Sequence, residues 1–151
     1  RYFFTMRSSD SQMDFDMDLA TKKANDNPVF YAQYAHARIC SIMRQREEKN
    51  YHFDLIDEYN LITSEKAMEI LKYLAEFPLV VAQSALKRAP NIIVNYINNL
   101  AQAFHSFYNS EKVIDELDIS KTNQMLALVK ATQITLRNSL NLIGVSAPQK
   151  M

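Results

Sequence analysis

Two tyrosines and an arginine stand at helical spacing in the first half of the chain. Tyr31 and Tyr34 lie about one helical turn apart, and Arg38 follows Tyr34 by four residues. Exposed tyrosine rings can stack on unpaired nucleic-acid bases, and an arginine beside them can bind phosphates. Tyrosines at this spacing are more often part of a helix core, so the residues alone leave both interpretations open. A second aromatic set occurs later in the chain: Tyr96, Phe104, Phe107 and Tyr108.

Three alternating aspartates are the first candidate for a metal site. Asp14, Asp16 and Asp18 have the spacing of carboxylates in a calcium-binding loop. The sixth position of such a loop needs glycine and the twelfth needs glutamate, but Leu19 and Asn25 stand there. We therefore interpret the aspartates as residues of a turn and of the first turn of a helix, where the helix dipole favours acidic side chains.

Histidines and the single cysteine offer little further chemistry. His36 and Cys40 are four residues apart and could supply two metal ligands, but no second pair completes a set, so we expect a structural role. His105 is expected to be a hydrogen-bonded structural histidine. Because Gly144 is the only glycine, neither a phosphate-binding glycine loop nor a nucleophile elbow is present. We expect no cofactor, no metal and no catalysis in this chain by itself.

Composition indicates an ordinary globular domain. The chain has 151 residues, of which 48% are hydrophobic, and this is long enough for a core of its own. Seventeen basic and seventeen acidic residues cancel, so any nucleic-acid site must be local. No apolar run reaches the roughly 20 residues of a membrane-spanning helix, and a lone cysteine suits a reducing compartment. We expect a cytoplasmic protein without a membrane partner, and a fragment, since it begins with Arg1.

The scarcity of glycine and the apolar periodicity predict an all-α fold. Helices are expected at about 28–49, 64–76, 78–88, 90–110 and 121–143, with Pro78 ending the second or opening the third. Gly144 is expected to end the last helix.

The helix at 28–49 has a clear core stripe. One arc of about 120° carries its apolar side chains, which are Tyr31, Ala32, Ala35, Ile39, Ile42 and Met43. His36 lies on one flank of this stripe, with Tyr34 and Arg38 on the other. Both flanks are expected to face solvent or a partner.

The ends of the helical region are less regular. Residues 2–6 have the β propensity of a short strand, a polar turn is expected at 8–12, and 50–61 is expected to be a connector. We place a domain boundary near residue 27, so that residues 1–26 are the remnant of another domain and 27–151 form a helical domain.

The segment from Asn25 to Arg38, NDNPVFYAQYAHAR, closely resembles the opening of the anticodon-binding domain of bacterial arginyl-tRNA synthetases. Residues 1–20 look like the end of the catalytic region of that family. Four later blocks resemble successive family blocks in order, so the resemblance covers the whole chain: ALKRAP at 85–90, LAQAFHSFY at 100–108, LALVKAT at 126–132 and LIGVSAPQKM at 142–151. The chain departs from the family pattern at Asn91, Ile92, Glu111 and Lys112.

This resemblance implies a helical bundle of the DALR anticodon-binding type found in class I synthetases. It implies that the parent enzyme attaches arginine to its tRNA with ATP and Mg²⁺, and that this part binds the anticodon loop of tRNA-Arg, whose central cytosine is an identity element. The family's anticodon contacts fall on Tyr31, Tyr34, Tyr108 and Met151, with His36 and Arg38 in supporting roles. Expected partners are the tRNA and the parent catalytic domain, with the protein a monomer.

A second interpretation remains at this stage. The same bundle could be a structural or protein-interaction module without RNA binding, using the faces around Arg38, Lys87 and Arg88 for a protein partner.

Overall fold

Capping residues supplied by the sequence fix where the helices begin. The computed structural model describes residues 1–8, 11–12, 14–51 and 58–151. Four side chains accept hydrogen bonds from backbone N–H groups of the helix that follows them: Asp16, Asn27, Ser64 and Asp118. The described residues contain six helices and no strand: α1 Tyr2–Met6, α2 Met17–Thr21, α3 Pro28–Glu48, α4 Glu65–Lys87, α5 Asn91–Ser110 and α6 Ile119–Leu142. The all-α prediction is confirmed.

One hydrophobic core lies among the four long helices, α3 to α6. Helix α5 contributes three large and fully buried side chains to this core, Leu100, Phe104 and Phe107. Ile39 from α3 and Leu136 from α6 meet the same core. Burial of each such side chain stabilises the fold by about 1.5–3 kcal/mol. Helices α3 and α5, which carry the candidate site, are thus fixed relative to each other by packing.

The expected break at Pro78 is absent, and this prediction is wrong. Helix α4 continues through Pro78 for 23 residues. An interior proline costs a helix one hydrogen bond and a steric clash, about 3 kcal/mol. Leu74, Phe77 and Val81 lie on both sides of it and pack against the core, so their burial outweighs that cost.

The predicted strand at the N-terminus is also wrong, because residues 2–6 form helix α1. Tyr2 is 2% exposed and its hydroxyl donates to the Asn98 side chain on α5. A short β-prone segment needs a neighbouring strand, and the described residues offer none. Burial of Tyr2 against α5 therefore decides its conformation.

The last helix ends as expected. Gly144 has φ +69°, and the N–H of Val145 donates to the carbonyl of Leu140, which satisfies the helix end. Parts of the expected turn at 8–12 and of the connector at 50–61 lie outside the described residues. No helix in the described part of the chain is long and apolar enough to cross a membrane.

Candidate nucleic-acid interface

The guanidinium of Arg38 lies over two tyrosine rings. Its central carbon lies 4.7 Å from the ring centroid of Tyr34 on α3 and 4.7 Å from that of Tyr108 on α5. One Nη2–H also donates to the Tyr34 hydroxyl at 2.7 Å. Stacking on aromatic rings stabilises a guanidinium while leaving its edge accessible. Other N–H donors of Arg38 are therefore positioned to meet a phosphate or a base edge.

His105 extends this stack toward the start of α3. Its ring lies 5.7 Å from that of Tyr34 at an interplanar angle of 20°, and 4.5 Å from that of Tyr31. Its Nε2 is 3.4 Å from the carbonyl oxygen of Tyr31. Burial, together with the positive charge of Arg38, lowers the pKa of His105, and burial raises the pKa of Tyr31. Both rings are consequently uncharged at neutral pH.

A cavity of about 380 Å³ opens beside the Arg38 stack. Three cationic side chains line it, Arg38, Arg44 and Lys150, and among the described residues no acidic side chain does so. The other lining residues are Tyr34, Ala37, Ser41, Ile42, Gln45, Tyr108 and Met151. Because the whole chain is neutral, this local excess of positive charge makes the cavity a candidate site for an anionic ligand with flat apolar parts.

A second cavity, of about 440 Å³, shares Tyr34 and Arg38 with the first. Tyr31, Tyr34, Arg38 and His105 line it together with the amide side chains of Asn25 and Asn109. Amide groups both donate and accept hydrogen bonds and can therefore read the edge of a base. Tyr34 and Arg38 thus contribute to both cavities.

The C-terminal tail is tied along α3 by side chains of that helix. Gln33 donates to the carbonyl of Ser146 at 2.8 Å, and Arg44 donates to the carbonyl of Gln149 at 3.2 Å. Val145 and Ala147 pack against the core. These contacts place Lys150 and Met151 at the first cavity, although Met151 itself is 53% exposed.

His36 has a different position from the one predicted. The helical periodicity put it on an accessible flank, but it is only 2% exposed, because the tail covers it. Its Nδ1 lies 2.9 Å from the carbonyl oxygen of Pro148. Burial and the nearby charges of Arg137 and Lys130 lower the pKa of His36, so the neutral ring donates Nδ1–H to the tail. This contact positions the tail beside α3.

The structure brings most of the predicted site residues together. Tyr34, Arg38, Tyr108 and Met151 line one cavity, and Tyr31 lines the adjoining one. Sequence reasoning missed the other lining residues, among them Asn25, Arg44, His105 as a ring partner, Asn109 and Lys150. A signal existed on α3, where Tyr34, Arg38, Ser41 and Gln45 follow an i, i+4, i+7, i+11 pattern outside the core stripe.

Four long helices around one core, with a cationic and aromatic cavity between α3, α5 and the tail, define an all-helical binding domain. The family model described as "DALR anticodon binding domain" matches residues 32–151. The chain belongs to this family, which confirms the resemblance found in the sequence.

Known relatives match this chain over its whole length. It is 55% identical over 151 residues to the arginine–tRNA ligase of Anoxybacillus flavithermus and 59% identical over 152 residues to that of Bacillus pumilus; each alignment covers 100% of this chain and 27% of the relative. Among solved structures, the arginyl-tRNA synthetase of Thermus thermophilus matches with a TM-score of 0.81 and 26% identity, over 99% of this chain and 25% of that one. A Campylobacter jejuni protein described as an arginyl-tRNA synthetase matches with a TM-score of 0.85 and 28% identity, over 99% of this chain and 32% of that one. The chain therefore spans about a quarter of the length of the ligases it resembles.

Proposed function

We propose that this chain is the anticodon-binding part of an arginine–tRNA ligase and that it binds the anticodon loop of tRNA-Arg. The stack of Tyr34, Arg38 and Tyr108 beside a cavity with three cations supports this proposal most strongly. Single-stranded RNA is bound by aromatic side chains that contact its bases and by cations that contact its phosphates. An unwound anticodon loop offers both kinds of group.

Six residues at the first cavity have distinct tasks in this proposal. Tyr108, which is 37% exposed, presents its ring to a base, while Arg38 and the Gln45 amide meet polar base edges. Arg44 and Lys150 bind phosphates of the loop. Met151 adds an adaptable apolar contact. The central cytosine of the anticodon is the base assigned to this cavity.

Two further residues act on the same surface. Tyr31 lines the adjoining cavity, and burial raises the pKa of its hydroxyl further above neutrality, so that the group can donate a hydrogen bond. His36 lines neither of these two cavities and instead holds the tail through Pro148. It is therefore a positioning residue, whose removal would displace Lys150 and Met151.

The remaining activity belongs to the part of the protein outside this chain. The parent enzyme would ligate arginine to tRNA with ATP and Mg²⁺, and the described residues hold no cluster of three or more side chains that could bind a metal. We assign residues 1–26 to the end of its catalytic domain and 27–151 to the anticodon-binding domain. A monomeric enzyme of the cytoplasm is proposed.

Binding of the chain to anticodon stem-loops of tRNA-Arg tests this function. Fluorescence anisotropy at low salt would compare a loop with the central cytosine and one with uracil in its place. We expect tighter binding to the cytosine loop and a loss of about 3- to 30-fold for Tyr34→Ala, because this change removes one of the two rings that position Arg38 against the base. Tyr59→Ala removes a tyrosine that is 54% exposed and lines neither cavity, and should bind normally.

Three results would count against the proposal. Equal binding of both loops would remove the cytosine assignment, and normal binding by Tyr34→Ala would remove the site. Absence of RNA binding combined with a stable protein complex in a pull-down would favour a protein-interaction module instead.

A further inference from the structure

A third cavity shares Met151 with the first cavity. Its volume is about 330 Å³, and its walls come from the end of α2, from the segment after it and from the first turns of α3. Thr21, Lys22 and Lys23 line it from α2 and the segment after it, Phe30 and Gln33 line it from α3, and Met151 lines both this cavity and the first. The two cavities are therefore neighbours along α3 and share one side chain.

Phe30 gives this cavity an aromatic wall that continues the neighbouring one. Its ring is nearly parallel to that of Tyr34, with an interplanar angle of 7° and centroids 6.2 Å apart. The two residues are separated by about one helical turn, a rise of about 5.4–6 Å. A single strand that runs along α3 would meet Phe30 directly after Tyr34.

The opposite wall is held in place by Asn27. This residue is 3% exposed, and its Nδ2 donates to the carbonyls of Lys22 at 2.8 Å and of Ala20 at 3.3 Å. Its Oδ1 accepts from the N–H groups of Val29 and Phe30. One buried amide thus fixes the backbone that carries Lys22 and Lys23 against the start of α3, so the cavity is a formed feature of the fold.

The charge of the rim suits a phosphate. Lys22 forms an ion pair with Asp26, which neutralises it locally. Lys23 is exposed and has no ion-pair partner within the described part of the chain. Its charge is available to a phosphate of a strand that enters this cavity.

We propose that the third cavity binds the unpaired nucleotide that flanks the central one, with its base against the ring of Phe30 and its phosphate at Lys23. This inference rests on the proposed function, because it requires an RNA loop in the first cavity. It also makes residues 20–23, which precede the predicted domain boundary, part of the RNA surface.

A coupling measurement tests the inference. The 151-residue chain would be titrated with anticodon stem-loops that carry an abasic site at each loop position flanking the central cytosine. At one of these positions, loss of the base should weaken binding of the unchanged chain by about 5- to 150-fold, the range of base–aromatic stacking. The same loss should be nearly absent in Phe30→Leu, which keeps an apolar side chain but removes the ring.

Lys23→Gln provides a second variant that cannot disturb the core, because Lys23 is exposed. It should lower the salt dependence of binding by about 0.7 in the slope of log K against log salt, the effect of one phosphate contact on a single strand. Lys87→Gln is the matched control, since Lys87 is exposed and lines none of the three cavities.

The outcomes separate this inference from the proposed function. If Tyr34→Ala weakens binding while Phe30→Leu shows no coupling to any flanking base and Lys23→Gln keeps the full salt slope, the third cavity is not a nucleotide site and the proposed function stands. If the unchanged chain does not bind the stem-loop, both are overturned.

Discussion

Arg38 contacts Tyr34 on its own helix and Tyr108 on α5, so one side chain joins the two helices that form the site. A lysine would keep the charge but lose the flat surface that stacks on both rings. The geometry of the cavity therefore depends on guanidinium shape and not on charge alone.

Replacement of Arg38 by lysine is expected to weaken RNA binding more than it destabilises the fold. Loss of stacking on Tyr34 and Tyr108 should raise the Kd for the anticodon stem-loop by about 3- to 30-fold and lower the free energy of unfolding by about 1 kcal/mol. Titration with RNA and urea unfolding measure the two effects. Arg88→Lys, at an exposed helix end outside the cavities, should change neither, and an unaltered Kd for Arg38→Lys would contradict the stacking role.

His36 and His105 should make stability depend on pH. Burial lowers the pKa of both rings, so the unfolded chain binds protons more readily than the folded one. Their contribution is complete above the unfolded pKa of about 6.5 and is lost as the pH falls from there toward the folded values. The melting temperature should therefore drop between about pH 7.5 and about pH 5.5, above the range in which carboxylates titrate.

The double variant His36→Asn, His105→Asn isolates this effect. Asparagine at residue 36 can still donate to Pro148 but does not titrate in this range. Its melting temperature should be lower than that of the unchanged chain at the higher pH and should vary less with pH. Parallel curves for the two proteins would show that the histidines are not responsible.

The spacing of residues along the sequence could predict only part of the site. The i, i+4 relation of Tyr34 and Arg38 is visible in the sequence, and the structure shows their contact. The contact of Arg38 with Tyr108 joins residues 70 positions apart on two helices, and no local pattern encodes it. His36 was misjudged because a helical projection cannot show that a distant tail covers one flank.

Among the elements, α4 shows how packing can override a local signal. Its proline sits in the interior of a continuous helix whose neighbours on both sides are packed against the core. The interior proline therefore destabilises the helix, but the packing of the neighbouring side chains keeps the helix continuous. Substitution of the proline should raise the free energy of unfolding.

Pro78→Ala is expected to stabilise the chain. Alanine restores the N–H that can donate to the carbonyl four residues earlier and removes the clash of the ring, which should raise the free energy of unfolding by about 1–3 kcal/mol. Pro90→Ala is the control, because Pro90 is the N-cap of α5, where a missing N–H costs little. Equal effects of the two substitutions in urea unfolding would show that the interior position of Pro78 is not costly.

Element boundaries followed the sequence where a capping side chain or a helix-ending glycine was present. Asn27 with Pro28 and Gly144 mark real helix ends, because their effects act within a few residues. Helix α1 was predicted as a strand because its five residues have high β propensity. This propensity is too weak to compete with the burial of Tyr2 on α5, so the segment is helical.

Over the whole molecule, the net charge is zero while the proposed RNA surface is cationic. The distant field of such a chain does not attract a polyanion, so association should be near the neutral rate of about 10⁵–10⁶ M⁻¹s⁻¹. Binding must then depend on a few contacts close to the site. The sequence showed that the chain is neutral, but it did not show where its positive charge is concentrated. That local concentration arises when the fold brings Lys150 from the tail beside Arg38 and Arg44.

Salt dependence measures how many of these cations meet phosphates. Each phosphate contact on a single strand contributes about −0.7 to the slope of log K against log salt, so Arg44 and Lys150 should give about −1.4, and the addition of Lys23 about −2. Lys150→Gln should make the slope less negative by about 0.7, while Lys87→Gln should leave it unchanged. A slope steeper than about −5 would require phosphate contacts well outside the first and third cavities and would mean that RNA follows a longer path over the bundle.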